Sequence, residues 1–164
     1  MSELLSVVIS WNRPALLRRT VDSIRTCSAG RLLVVDNASN QETTDILRSI
    51  TSEDERLLFP HNRGINRAVE AALQRCTEPY IHVSDADMQY LEPFGTAINM
   101  LHFGGGLCVS YLDSPEHQVV GSHERMGRTW LLKHAERGAA LFMPTEYLRS
   151  LLPLPSGHTE FDWW

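Results

Sequence analysis

Apolar residues gather in short bursts along the first half of the chain, and polar residues interrupt them at regular intervals. Ser6 to Ser10, Leu32 to Asp36, Arg56 to Phe59 and Tyr80 to Ser84 are β-rich runs of four or five residues, the length of buried strands. The segments between them carry helical spacing. In Pro14 to Thr26 the proline suits a first helical turn, and Leu16, Leu17, Val21 and Ile24 share a face. Gln41 to Ile50 and Ile65 to Cys76 read the same way. Strand and helix in alternation predict right-handed crossovers and a parallel sheet, with the ligand crevice at the C-terminal ends of the strands. Beyond Asp87 the pattern loosens. Pro93 to Leu101 reads as a helix, Leu107 to Tyr111 as a strand, Val119-Val120 as a short extended piece and Ala139 to Met143 as another buried strand. Thr145 then stands as candidate N-cap of a helix running to about Leu152, before Pro153. The expectation is an α/β fold with a mixed, mainly parallel sheet flanked by helices.

Three of the predicted strands end in polar residues: Ser10-Trp11-Asn12-Arg13, Asp36-Asn37-Ala38-Ser39 and Ser84-Asp85-Ala86-Asp87. One such end is as easily a turn or a helix cap. Three delivered to one rim favour a site. Asp85 and Asp87 are separated by one residue, so in an extended segment both carboxylates point to one side. Such a pair suits a hard divalent cation, Mn2+ or Mg2+, whose remaining positions are filled by substrate phosphates. Asn62-Arg63-Gly64-Ile65-Asn66-Arg67 is a polar, basic turn feeding an Ala-rich helix. Its backbone donors, with Arg63 or Arg67 beside them, could hold a diphosphate or a ribose, the plain alternative being a surface cap with solvated arginines.

The chain has 164 residues, the size of one domain, and no repeat, low-complexity tract or linker-like break. Its net charge of -5 offers no long-range attraction for phosphate backbones, so non-specific nucleic-acid binding is not expected. Cys27, Cys76 and Cys108 are odd in number and set among apolar residues, which suits reduced thiols and a cytoplasmic location. No run reaches the roughly 18 apolar residues of a transmembrane segment. Histidines 61, 82, 102, 117, 123, 134 and 158 lack tight ligand spacing and read as structural or solvated. Trp11 and Trp130 could stack on a sugar or base, although packing is the commoner use of such rings.

With those motifs in place, the chain resembles the family 2 glycosyltransferases of the GT-A fold, the nucleotide-diphospho-sugar transferases. Val7 to Arg13 looks like that family's opening strand and nucleotide loop. Leu33 to Ser39 looks like the second, whose Asp contacts the base. Asn62-Arg63-Gly64 with Asn66 is similar to the turn before the third helix, and Asp85-Ala86-Asp87 falls where the family carries its D-x-D. The resemblance implies donor contacts at Ser10, Trp11, Asn12, Arg13, Asp36, Asn37, Ser39, Asn62, Gly64, Asn66, Arg67, Asp85 and Ala86. It makes Asp87 the main metal ligand, with Asp85 on ribose or metal. It implies a single domain over 1–164, with 1–90 as the nucleotide-sugar half and 91–164 as the acceptor-side half.

Gly138 to Phe142 looks like the small-residue segment beside sugar and acceptor. Glu160-Phe161-Asp162-Trp163-Trp164 is similar to the acidic pair that supplies the catalytic base, but here Phe161 splits it. Asp162 is favoured as base for the aromatic pair that follows it, with Glu160 as the alternative, and late His158 could join a metal shell. Family members continue well past this point. A minimal enzyme, a site completed by association into a homo-oligomer, and a fragment all stay open.

The implied reaction moves a sugar from a nucleoside-diphosphate donor to an acceptor hydroxyl of unknown class, with inversion. A sugar-phosphate nucleotidyltransferase fits less well, because Ser10 to Pro14 stands where its Gly-rich loop would be. Neither the dinucleotide nor the P-loop glycine pattern is present. A non-catalytic nucleotide- or sugar-binding module of the same fold is the remaining alternative.

Overall fold

The computed structural model describes residues 2–104, 109–110, 119–125, 128–133 and 140–154. The order is β1 (Leu4–Ser10), α1 (Pro14–Cys27), β2 (Arg31–Asp36), α2 (Gln41–Ile50), β3 (Arg56–Leu58), α3 (Ile65–Leu73), β4 (Tyr80–Asp85), α4 (Gly95–Gly104), β5 (Val109–Ser110), β6 (Val119–Arg125), β7 (Arg128–Lys133), β8 (Ala140–Pro144) and α5 (Thr145–Ser150). The six-stranded sheet runs β3-β2-β1-β4-β8-β5, and β6 and β7 form a hairpin of their own. β3, β2, β1 and β4 are parallel, β8 is antiparallel to β4, and β5 is antiparallel to β8. This is the mixed, mainly parallel sheet expected from the sequence.

β1 is the spine, buried along all seven residues. Its side chains alternate between two faces, as any strand's must. Leu4 and Val8 join the layer formed with Leu17, Val21 and Ile24 of α1, Leu47 of α2 and Phe94 to Leu101 around α4. Leu5, Val7 and Ile9 join the opposite layer, with Val69 and Ala72 of α3 and Leu148 of α5. A side chain as large as Leu17 or Phe142, fully enclosed, contributes about 2–3 kcal/mol.

The rim at the C-terminal ends of the strands follows from register. Ser10, the last residue of β1, lies opposite Asp36, the last of β2. On the other side Ile9 lies opposite Asp85, the last of β4. The far end of the sheet is tied by Glu78, buried just ahead of β4. Its carboxylate accepts from Arg31 Nε at 2.7 Å, Arg31 Nη2 at 3.1 Å and the Thr77 amide at 2.9 Å. Burial pushes the Glu78 carboxyl up, but these donors more than offset it, and the net shift is downward.

Several local expectations are corrected. Thr145 is not the N-cap of α5, a place taken by Pro144. Its hydroxyl instead donates to the Glu78 carbonyl at 2.7 Å, because a buried threonine takes the nearest free acceptor. Helix α3 stops at Leu73 rather than Cys76, and tight bonds from Arg75 to Ala72 and from Cys76 to Leu73 close its end. The extended piece at Val119-Val120 is the start of a full hairpin that the sequence hides, since Gly121, Glu124 and Arg125 dilute any alternation of apolar residues.

Candidate active site

The rim is assembled from three loops locked to one another. The Asn12 amide donates to Ser39 Oγ at 3.0 Å, and Asn12 Oδ1 accepts from the Asn40 amide at 2.7 Å. The loops after β1 and β2 are therefore one unit. Asn37 joins the third: its Nδ2 donates to Asn62 Oδ1 at 2.9 Å, and its Oδ1 accepts from the Arg63 amide at 2.8 Å. Asn12 and Ala38 sit at φ 53° and 63°, the left-handed region that non-glycine residues rarely occupy. Gly64, the N-cap of α3, sits at φ 80°, a conformation open to glycine because it has no Cβ.

Two polar atoms at this rim are buried and have no partner among the described residues: Ser10 Oγ and Asp36 Oδ1. Asp36 is only 3% exposed, and its other oxygen accepts from the Ser39 amide at 3.1 Å. A carboxylate oxygen enclosed without a donor costs about 1–3 kcal/mol, so its natural complement is a donor brought by a ligand. Trp11 stands exposed on the adjoining loop.

The carboxylate pair lies beside them, though not as an extended segment. β4 ends at Asp85, and Ala86 and Asp87 form a turn, with Ala86 packed into the core. Alternation therefore does not set the direction of Asp87. Burial, then the charge of Asp87, push the Asp85 carboxyl up to about 6, while Arg13 pulls the other way. Asp87 itself faces Arg13, with Nη1 to Oδ2 at 3.1 Å and both side chains partly exposed. Two carboxylates that repel each other, one of them already drawing in a cation, suit a divalent ion. Among the described residues no group of three Asp, Glu, His or Cys forms a protein cage. An open pair of this kind leaves coordination positions for phosphate oxygens.

The other sequence-derived positions divide. Asn66 is buried on α3. The Arg67 guanidinium is engaged by Glu70 one turn along the same helix. Arg63 lies over the Phe59 ring at 5.2 Å. Asp162, Glu160, His158, Gly138 and Ala139 lie outside the described residues. Ala140 pairs with Ser84, which puts the start of β8 next to the end of β4. Sequence reasoning had singled out Arg13 and Asp87 separately and missed their pairing. It gave no role to His82 or Tyr90; the signal for His82 is a polar residue at every second position of β4, His82 and then Ser84, while Tyr90 lies past the strand and carries none.

A mainly parallel α/β sheet with nucleotide-type loops at one rim and a carboxylate pair at the end of its fourth strand defines the GT-A class of transferase fold. Residues 6–98 match the model of glycosyl transferase family 2, and the chain belongs to that family. No curated protein matches it in sequence. Among solved structures it is similar to the mannosyltransferase PcManGT from Pyrobaculum calidifontis in complex with GDP-Man and Mn2+, at 19% identity and a TM-score of 0.76, over 99% of this chain and 50% of that one. It is also similar to S. aureus TarS 1-349 in complex with UDP-GlcNAc, at 13% identity and a TM-score of 0.64, over 90% of this chain and 47% of that one. A third is glucosyl-3-phosphoglycerate synthase from Mycobacterium tuberculosis, at 19% identity and a TM-score of 0.54, over 66% and 43%. The chain thus spans about half the length of these three structures.

Proposed function

We propose that the chain binds a nucleoside-diphosphate sugar together with Mn2+ or Mg2+ and transfers the sugar to an acceptor hydroxyl. The observation that carries this reading is the meeting at one rim of a buried, unpartnered carboxylate oxygen on Asp36 and the mutually repelling pair Asp85 and Asp87. Asp36 Oδ1 would accept a nucleobase N–H, with Ser10 Oγ beside it. The interlocked loops through Asn12, Asn37, Ser39 and Asn62 would hold that face rigid, so little ordering remains for the ligand to drive. Amide donors at the start of α3, after Gly64, would face the diphosphate.

Asp87 and Asp85 would hold the cation, which when bound neutralises charge on the diphosphate leaving group. Arg13, which pairs with Asp87 in the structure, would then be available to pair with a phosphate oxygen. Asp162, or Glu160 in its place, would take the proton of the acceptor hydroxyl as it attacks, inverting the anomeric carbon. The acceptor class is left open. Cys27 and Cys76 are buried and free, each thiol pushed up by burial, in keeping with a cytoplasmic enzyme. No described helix is long and apolar enough to cross a membrane.

The test is release of nucleoside diphosphate from a panel of UDP- and GDP-sugars with Mn2+. One donor is expected to be turned over, and EDTA to stop the release. Tight binding of a donor with no release, whatever acceptor is supplied, would establish the alternative of a non-catalytic sugar-nucleotide module.

A further inference from the structure

Behind the carboxylate pair runs a line of buried polar side chains set against the apolar layer that holds Phe94 and Phe142. Ser6 of β1, His82 and Ser84 of β4, and Tyr90 are all buried, none more than 8% exposed. Ser6 Oγ lies 3.2 Å from His82 Nδ1, and His82 Nε2 lies 2.9 Å from the Tyr90 hydroxyl. Tyr90 donates to Ser84 Oγ at 2.7 Å, and Ser84 donates to the Asp85 carbonyl at 2.9 Å. The direction of every bond follows from the last two. Tyr90 has spent its proton on Ser84, so His82 Nε2 must donate to Tyr90. His82 Nδ1 is then an acceptor, and Ser6 donates to it. Burial keeps the imidazole neutral, with its pKa brought down to about 3, and pushes the Tyr90 phenol up, so both groups stay in the forms this line requires. Every donor is used, and the line terminates on the backbone of Asp85.

Tyr90 is also held from the other side. Its amide donates to Ser23 Oγ of α1 at 3.1 Å, and two residues earlier the Met88 carbonyl accepts from Thr20 of the same helix at 2.7 Å. The turn at Ala86 and Asp87 is therefore strung between two fixed points: the end of β4, and a segment pinned on α1. Ring contacts of His82 with Phe142 at 4.1 Å, and of Tyr90 with Phe94 at 4.9 Å, enclose the two rings in apolar surroundings, while their hydrogen bonds set how they are oriented.

We propose that Tyr90, acting through Ser84, is a positioning residue that sets the spacing of the Asp85 and Asp87 carboxylates and so tunes cation affinity. This inference rests on the proposed donor site, and it concerns the support of that site rather than its ligands. A polar line in a hydrophobic core is an expense in stability that plain packing of phenylalanine would avoid, and the return is a turn held in one geometry.

The experiment is electron paramagnetic resonance titration of Mn2+ in the presence of UDP or GDP. Tyr90→Phe and Ser84→Ala are each expected to weaken Mn2+ binding about tenfold. The double variant is expected to be no weaker than the worse single one, because both cut the same line. Phe94→Leu disturbs the same ring cluster without touching a hydrogen bond, and is expected to lower the melting temperature while leaving Mn2+ affinity at the wild-type value. Wild-type affinity in Tyr90→Phe, or equal weakening in Phe94→Leu, overturns the inference while the donor site stands. Failure of the wild-type protein to bind Mn2+ with either nucleotide removes the donor site and the inference together.

Discussion

Asp87→Ala is expected to lower donor turnover by about a thousandfold and to leave the melting temperature close to that of the wild type. The size follows from what is removed: charge neutralisation on a leaving diphosphate supplies several kcal/mol, and about 4 kcal/mol corresponds to that factor. The intact fold follows from position. Asp87 is partly exposed in a turn and its partner Arg13 is more than half exposed, so the freed guanidinium can be solvated. An exposed pair of this kind contributes at most about 1 kcal/mol. Circular dichroism together with a nucleoside-diphosphate release assay checks both halves. Turnover at the wild-type rate in a folded Asp87→Ala protein would remove Asp87 from the site.

Asp36→Asn is expected to weaken nucleoside-diphosphate binding by about 10- to 100-fold, which is the loss of one charged hydrogen bond from a buried acceptor. The substitution is isosteric. Its amide oxygen can still receive the Ser39 amide, now made by Asp36 Oδ2 at 3.1 Å, so the turn through Ala38 keeps its support. What changes is the oxygen that has no partner, Oδ1, which becomes a donor group facing the ligand's own donor. Calorimetric titration with UDP and GDP measures the loss. Unchanged affinity would mean that Asp36 serves the loop and not the base.

The fold's first half was legible because it rests on short-range physics. Buried parallel strands are mostly apolar, and the helices between them show one apolar face, so β1, β2, β4, α1 and α2 stand out in the residue string. The polar ends of those strands were legible too, since each breaks an apolar run abruptly. That they share a rim depends on strand order: β1 lies between β2 and β4, which brings Ser10 opposite Asp36 and Ile9 opposite Asp85. Repetition of strand and helix implies that arrangement without naming the neighbours.

Less legible were features decided by tertiary contact alone. The pairing of Arg13 with Asp87 joins loops 74 positions apart. His82 reads in sequence as one of seven histidines, and only its enclosure among Ser6, Tyr90 and Phe142 gives it a role. The turn at Ala86-Asp87 defeated an argument from strand alternation because β4 ends at Asp85, two residues short of Asp87. The β6–β7 hairpin carries too many charged and small residues for its period to show.

The central claim, that a divalent ion held by Asp85 and Asp87 anchors a pyrophosphate beside Asp36, is met most directly by titrating UDP and GDP into this chain by calorimetry, first with Mn2+ and then with EDTA. The account predicts saturable binding of one nucleotide with Mn2+, weakened at least about tenfold by the chelator. Equal affinity in both conditions, or no binding of either nucleotide with Mn2+, would contradict it.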